Sequence, residues 1–248
     1  MIVSVRGVAR RPRDYVRVAG PDAEDYLQRM LSNDVTAGEL VPALLLTPKA
    51  RVIAPVRVWR RGADDFLLLT EPGLGEVVRA QLVRSRFGAK CEIEPEQHTS
   101  LLVFGGEEGI PGELPGSTEA LDDQREETLG PEELERLRIE AGVPAWGKEI
   151  DDSILPAEAG LDETHVSFTK GCYPGQEPVA RLRNRGHVNR RLRVLEVEDA
   201  APGDEISLDG KAVGRVTSAV SGLALGYVRV EVPDGAEVSV GGAPARLH

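Results

Sequence analysis

Sulfur and aromatic carbon are scarce in this chain, whose 248 residues include only 2 cysteines, 2 methionines, 2 tryptophans, 4 tyrosines and 4 phenylalanines. Two cysteines are too few for the disulfide framework of a secreted domain, and they point to a reducing compartment. Cys91 and Cys172 stand far apart, so the chain does not by itself offer the four thiolates that usually hold an iron–sulfur cluster. His98, His165, His187 and His248 show no zinc-ligand spacing with either cysteine, and no tightly bound metal is expected. Trp59 and Trp146, like the tyrosines, are read as packing residues rather than base-stacking platforms. An excess of basic residues is missing as well. The formal net charge of -11 argues against a general nucleic-acid or membrane-surface binder, which would need a broad basic face, although local basic patches remain open. No stretch approaches the ~18 apolar residues that a membrane span requires, and the first twenty residues hold arginines without an apolar run. A soluble, cytoplasmic protein is expected. Charged residues at 29% and hydrophobic ones at 41% fit a folded globular chain, long enough for one large domain or two to three small ones.

What is present is an interleaving of strand and helix patterns. Asp14 to Val18 alternates like a strand, and after Gly20-Pro21 the apolar residues Ala23, Tyr26, Leu27, Met30 and Leu31 recur at helical spacing. Ala43 to Thr47, Val52 to Val58 and Phe66 to Thr70 read as strands separated by Pro48-Lys49 and Arg61-Gly62. A helix follows with Leu74, Val77, Val78, Leu82 and Val83 on one face and Gly88 closing it. Leu101 to Phe104 is a short strand, Cys91 lies in a strand-like segment as a small semi-buried residue, and Glu132 to Ala141 is a helix begun at Pro131 and stopped by Gly142. Helices on mixed or antiparallel strands make an α+β fold.

Two composition shifts organise the rest. From Gly105 to Gly130, Glu107, Glu108, Glu113, Glu119, Asp122, Asp123, Glu126 and Glu127 stand against Arg125 alone. This segment is read as a solvated surface loop, with an acidic docking surface as the alternative. From Leu192 onward, short strands alternate with glycine turns at 192–197, 205–208, 212–217, 224–230, 237–240 and 243–247, the text of a small β-barrel or sandwich.

Reactive groups concentrate in Lys170-Gly171-Cys172-Tyr173-Pro174-Gly175-Gln176-Glu177. A thiol reacts as its thiolate and a neighbouring cation such as Lys170 favours that form, so Cys172 is a candidate nucleophile, sulfur ligand or redox centre. Glycine on both sides lets the backbone take positive φ and approach a ligand. Lys-Gly-Cys-Tyr-x-Gly-Gln-Glu resembles the conserved octet of the YgfZ family, folate-binding proteins that share a fold with the aminomethyltransferase of the glycine cleavage system. The resemblance extends in order along the chain. Residues 20–35, 44–52, 138–144, 155–161, 214–219 and 224–228 are similar to successive family blocks, and several collinear motifs carry far more than one.

The resemblance implies a GcvT-like folate-binding part followed by a C-terminal β-barrel, divided here as 1–90, 91–186 with the octet, and 187–248. It also implies tetrahydrofolate or a derivative as ligand and iron–sulfur client or assembly proteins as partners. A folate ring presents adjacent N–H donors that a carboxylate accepts in a two-point, charge-assisted bond. Glu140 corresponds to the family's folate-ring glutamate; the alternative is a solvated charge near a helix end. The folate tail is anionic, and Arg181, Arg183, Arg185, Arg190, Arg191 and Arg193 crowd one acid-free segment, read as a strand, with Arg181 and Arg185 placed nearest the site by resemblance. Asn33, Asp34, Tyr173, Gln176 and Glu177 complete the candidate folate contacts, Asn33 and Asp34 being alternatively turn formers and Gln176 and Glu177 loop or capping residues. The expected site is a cleft between the α+β part and the barrel, with the octet as a loop at its mouth.

One departure bears on chemistry. Where aminomethyltransferases carry an acidic pair, an ungapped alignment places Ala54 and Pro55, which cannot move a proton. General acid–base assistance is worth ~10²–10⁴-fold, so its loss argues against glycine-cleavage activity while leaving folate binding intact. The reading is therefore a tetrahydrofolate-dependent accessory factor in iron–sulfur protein maturation with Cys172 as a functional thiol. A folate-dependent one-carbon transferase and a folate-binding regulatory module with an inert cysteine are the alternatives.

Overall fold

The structure is a computed structural model that describes residues 5–106 and 109–248, the side chain of Arg185 excepted. A first sheet holds β2 (Asp14–Ala19), β3 (Leu40–Leu46), β4 (Val52–Arg60), β5 (Asp65–Thr70) and β6 (Glu92–Glu96) in the order β3-β4-β5-β2-β6, every pair antiparallel. α1 (Ala23–Met30) and α2 (Gly75–Arg84) cover one face. Strand side chains alternate between faces, and both faces of β5 are occupied: Phe66 and Leu68 join the helices, Leu67 and Leu69 face Tyr15 and Ile110. That double burial explains why β5 reads as an unbroken apolar run.

The second sheet, ordered β1-β7-β9-β8, contains β1 (Gly7–Arg10), β7 (Ser100–Phe104), β8 (Ile110–Pro111) and β9 (Ser117–Leu121). The two sheets exchange chain: β1, from the start, pairs with β7, while β6, just past residue 90, forms an edge of the first sheet. α3 (Pro131–Glu140) closes this sheet, burying Leu134 and Leu137 partly against Leu102, Phe104 and Leu114. Proline at its first position has no N–H to lose, and Gly142 at φ 66 takes the left-handed conformation that ends it.

The C-terminal strands β10 (Arg190–Val197), β11 (Glu205–Leu208), β12 (Lys211–Val220), β13 (Leu223–Arg229), β14 (Glu237–Val240) and β15 (Ala243–Leu247) form a closed antiparallel barrel, β15 pairing with β10. Leu195, Ile206, Val216, Val228, Val240 and Leu247 fill it, and closure leaves no strand edge unpaired. Barrel and α3 are joined through Glu149, 1% exposed, which accepts hydrogen bonds from Arg138 Nη1 at 2.9 Å and Ser218 Oγ at 2.6 Å, while Tyr227 Oη donates to its main-chain carbonyl at 2.7 Å. Among the described residues no helix is long and apolar enough to cross a membrane.

Three readings need correction. The segment 105–130 is not a plain surface loop: it supplies β8 and β9, and Glu119 is buried. Glu107 and Glu108, two of its acids, lie outside the described residues. The arginine-rich segment is two elements, because after the single turn α4 (Leu161–Thr164) Arg181 and Arg183 stand on a helix, α5 (Gln176–Arg185), which Arg185 ends, whereas Arg190, Arg191 and Arg193 stand on β10. The octet is accordingly a short loop that runs into α5 rather than a loop throughout.

Candidate functional site

A cavity of about 520 Å³ opens where the first sheet, the β8 turn, the stretch after α3 and the barrel meet. Leu40, Pro42, Val56, Leu69, Trp146 and Leu192 give it apolar walls. Its polar wall is a charge cluster drawn from distant parts of the chain. Arg13 donates from Nε to Glu119 at 2.5 Å and from Nη2 to Glu113 at 2.9 Å; Arg11 donates from Nη2 to Glu71 at 2.6 Å and from Nε to Glu113 at 2.5 Å. Arg57 donates to Glu119 and to the Pro111 carbonyl, and Ser100 Oγ adds a bond to Glu119 at 2.6 Å. Burial alone would push the Glu113 carboxyl up, but Arg13 and Arg11 outweigh it and hold the group well below the usual carboxylate range. His165 completes this wall, and burial, reinforced by Arg57, lowers its pKa to about 4, so the imidazole is neutral at physiological pH.

The octet is docked by its lysine. Lys170 Nζ donates to the carbonyls of Leu31 at 2.8 Å and Asn33 at 2.6 Å and lies 5.5 Å from the Tyr173 ring centre. Burial lowers its pKa to about 8. Tyr173 is buried in the apolar cluster that holds Leu44, Leu46 and Tyr227, whereas Cys172 is exposed. Of the octet's glycines only Gly175 has a positive φ, 85°, and a β-carbon there would stand 2.6 Å from the Thr47 carbonyl oxygen. The octet therefore seats on the β3–β4 turn through a residue that must be glycine. Gly175→Ala is expected to cost about 2 kcal/mol from the backbone conformation and the contact together; thermal unfolding measures the loss, and faster amide exchange in the first turn of α5 localises it.

The remaining expected residues divide. Glu140 ends α3 immediately before Ala141, Gly142, Val143 and Pro144, which line the central cavity; it is exposed and has no hydrogen-bond or ion-pair partner among the described residues. Asn33 and Asp34 are committed to a turn: Asn33 Nδ2 donates to the Pro42 carbonyl at 2.7 Å and the Thr164 carbonyl at 3.0 Å, and Asp34 accepts from Gln28 and Thr36. Glu177 and Arg181 form an exposed pair one helical turn apart at 2.6 Å. Cys172, Tyr173, Gln176, Glu177 and Arg181 do not line the central cavity. Ala54 is fully buried in the sheet core and Pro55 lines the cavity.

Sequence reading missed the wall residues Arg13, Arg57, Glu71, Glu113 and His165, and the barrel anchor Glu149. Their side-chain ion-pair partners lie up to 106 residues away, as with Arg13 and Glu119, beyond any local periodicity. The one local signal was the acid-rich run holding Glu113 and Glu119, opposite an arginine-rich amino terminus.

Two antiparallel sheets and a closed barrel meeting at a central cavity define an aminomethyltransferase-like fold. The chain superposes on the crystal structure of the glycine cleavage system aminomethyltransferase T from Bartonella henselae with a TM-score of 0.83, covering 99% of this chain and 86% of that one at 20% identity. Residues 189–248 match the family described as CAF17, C-terminal beta-barrel domain. An uncharacterized protein of Haemophilus influenzae is 28% identical over 83% of this chain and 81% of its own length. The mitochondrial iron-sulfur cluster assembly factor IBA57 homolog of Neurospora crassa is 27% identical over 80% of this chain, which spans only 55% of that protein. Barrel match, relatives and fold together support a protein of the YgfZ/CAF17 type.

Proposed function

We propose that this protein binds a reduced folate in its central cavity and supports the assembly or repair of iron–sulfur clusters, with Cys172 as its working thiol. The observation that carries the reading is the composition of the cavity. A bicyclic ring with an amino-pyrimidinone edge needs apolar walls and an accepting carboxylate, and about 520 Å³ lined by Leu40, Val56, Leu69, Trp146 and Leu192 supplies the walls. Glu140, next in the chain to the lining residues Ala141 to Pro144 and with no hydrogen-bond or ion-pair partner among the described residues, is the ring acceptor. Arg181, which does not line the cavity, and Arg185 are the cations for the tail. The relative named as an iron-sulfur cluster assembly factor supports the cluster role. Lys170 holds the octet in place, leaving Cys172 open to a partner.

Titration with tetrahydrofolate is the test. Glu140→Gln removes one charge-assisted bond pair, worth about 1.5–3 kcal/mol, so binding should weaken about 10–100-fold. No binding by the native protein would end the proposal. Cys172→Ala should bind folate as well as the native chain yet fail to sustain a cluster-dependent enzyme in cells lacking the protein; undiminished activity there would remove the thiol from the mechanism. The aminomethyltransferase-like fold supports a second reading, one-carbon transfer, against which stand Ala54 and Pro55. Formation of methylene-tetrahydrofolate from an aminomethyl donor would restore it.

A further inference from the structure

A second cavity, of about 670 Å³, lies between α5 and the barrel and shares no lining residue with the central one. The segment 155–165 separates them. Leu155, Pro156, Ala157 and Asp162 face the second cavity, whereas Ala159, Gly160, Leu161, Thr164 and His165 face the first. The floor of the second cavity is apolar: Ala50, Pro156, Val179, Val188 and Val232 line it and all are buried. Its rim is cationic, with Arg183 from α5 and Arg191 and Arg193 from β10.

These arginines are not equivalent. Arg193 is spent, bonding the His248 carbonyl at 2.9 Å and Asp234. Arg183 and Arg191 have neither a hydrogen bond nor an ion pair among the described residues. Arg183 is fixed by stacking, its guanidinium carbon 3.8 Å from the Phe168 ring centre, and this leaves its donors free. Asp162 lies on the same wall with no ion-pair partner among the described residues, and burial raises its carboxyl pKa against the smaller opposing pull of Arg191 and Arg183. A guanidinium fork matches a carboxylate at two points. A buried apolar floor beneath two free forks is the form of a site that takes the body of an organic acid below and its charge above.

We propose that the cavity between α5 and the barrel is a second ligand site, for an organic mono- or dicarboxylate with an apolar body, held by Arg183 and Arg191. The site is separate from the central cavity, and the proposal does not depend on folate binding there.

Benzylsuccinate is a suitable probe and succinate its charge-only counterpart, both titrated into the full chain by calorimetry. Benzylsuccinate should bind at least tenfold more tightly than succinate, and the double variant Arg183→Ala, Arg191→Ala should weaken it at least tenfold. Ala157→Trp, which fills the cavity without touching the arginines, should weaken it as well. Both variants should retain the native affinity for tetrahydrofolate. Equal affinity for the two probes, or benzylsuccinate binding indifferent to both variants, would overturn the proposal. A parallel loss of tetrahydrofolate affinity in the variants would also overturn it, because the cavity would then belong to the folate site. If the native protein binds benzylsuccinate but no tetrahydrofolate, this site stands and the folate reading falls.

Discussion

Glu119→Ala should be the most damaging single substitution outside the apolar cores, removing about 3–5 kcal/mol of stability. The carboxylate is 1% exposed and accepts hydrogen bonds from Arg13, Arg57 and Ser100. Its removal leaves two buried guanidinium groups facing each other without the charge that separates them. The magnitude measures that uncompensated burial rather than any net gain from the ion pairs, since a buried pair often does no better than an apolar one of the same shape. At about 2–4 °C per kcal/mol for a chain of this size, the unfolding midpoint should fall by on the order of 10 °C. The exposed pair Arg10 to Glu127 is the control, where Glu127→Ala should cost under about 1 kcal/mol. A Glu119→Ala loss no larger than the control's would mean that the cluster rearranges and that the wall of the central cavity is not fixed by it.

The barrel was readable because each strand alternates over a filled interior and glycine breaks separate the strands; the expected 205–208, 237–240 and 243–247 agree with the strands found. α5 was not, since Val179 is its only buried apolar residue and Pro178 and five basic or amide residues hide the period. Its signals were Gly175 at the entry and the Glu177 to Arg181 spacing. The octet was visible as a motif, but its geometry depends on the Thr47 carbonyl and the Leu31 and Asn33 carbonyls, more than 120 residues earlier in the chain. The central cavity is the least legible part. Its charges cancel only when Arg11, Arg13, Arg57, Glu71, Glu113 and Glu119 meet, and read singly they resemble surface charges. Lys170 shows the same limit from the other side: its place beside Cys172 suggested activation of the thiol, and its hydrogen bonds run to carbonyls after α1 instead.

Acid should destabilise the protein in a window set by His165. Burial first, and then the positive charge of Arg57, lower its pKa from 6.5 to about 4, against a smaller opposing pull from Glu113; Thr164 Oγ1, 2.8 Å from Nδ1, is its hydrogen-bond neighbour. The unfolded chain takes up this proton as pH falls through 6.5, whereas the folded chain refuses it until about 4. Between those values the unfolded state binds more protons, so stability present above pH 6.5 is lost as pH falls, by about 3 kcal/mol in all. His98 acts in the opposite sense, because Asp122 and Glu96 overcome its burial and raise its pKa, giving stability that is present at low pH and lost as pH rises. The difference between native protein and His165→Gln therefore isolates the cavity histidine. Urea unfolding at pH 7 and at pH 4.5 should show a steeper acid loss in the native chain than in the variant; equal losses would mean that water reaches the imidazole and that the polar wall of the cavity is open. A closed wall has a consequence for binding. With a neutral imidazole and ion pairs already satisfied, that side of the cavity presents hydrogen-bonding groups of almost no net charge, which suits an uncharged ring and leaves a carboxylate tail to cations elsewhere.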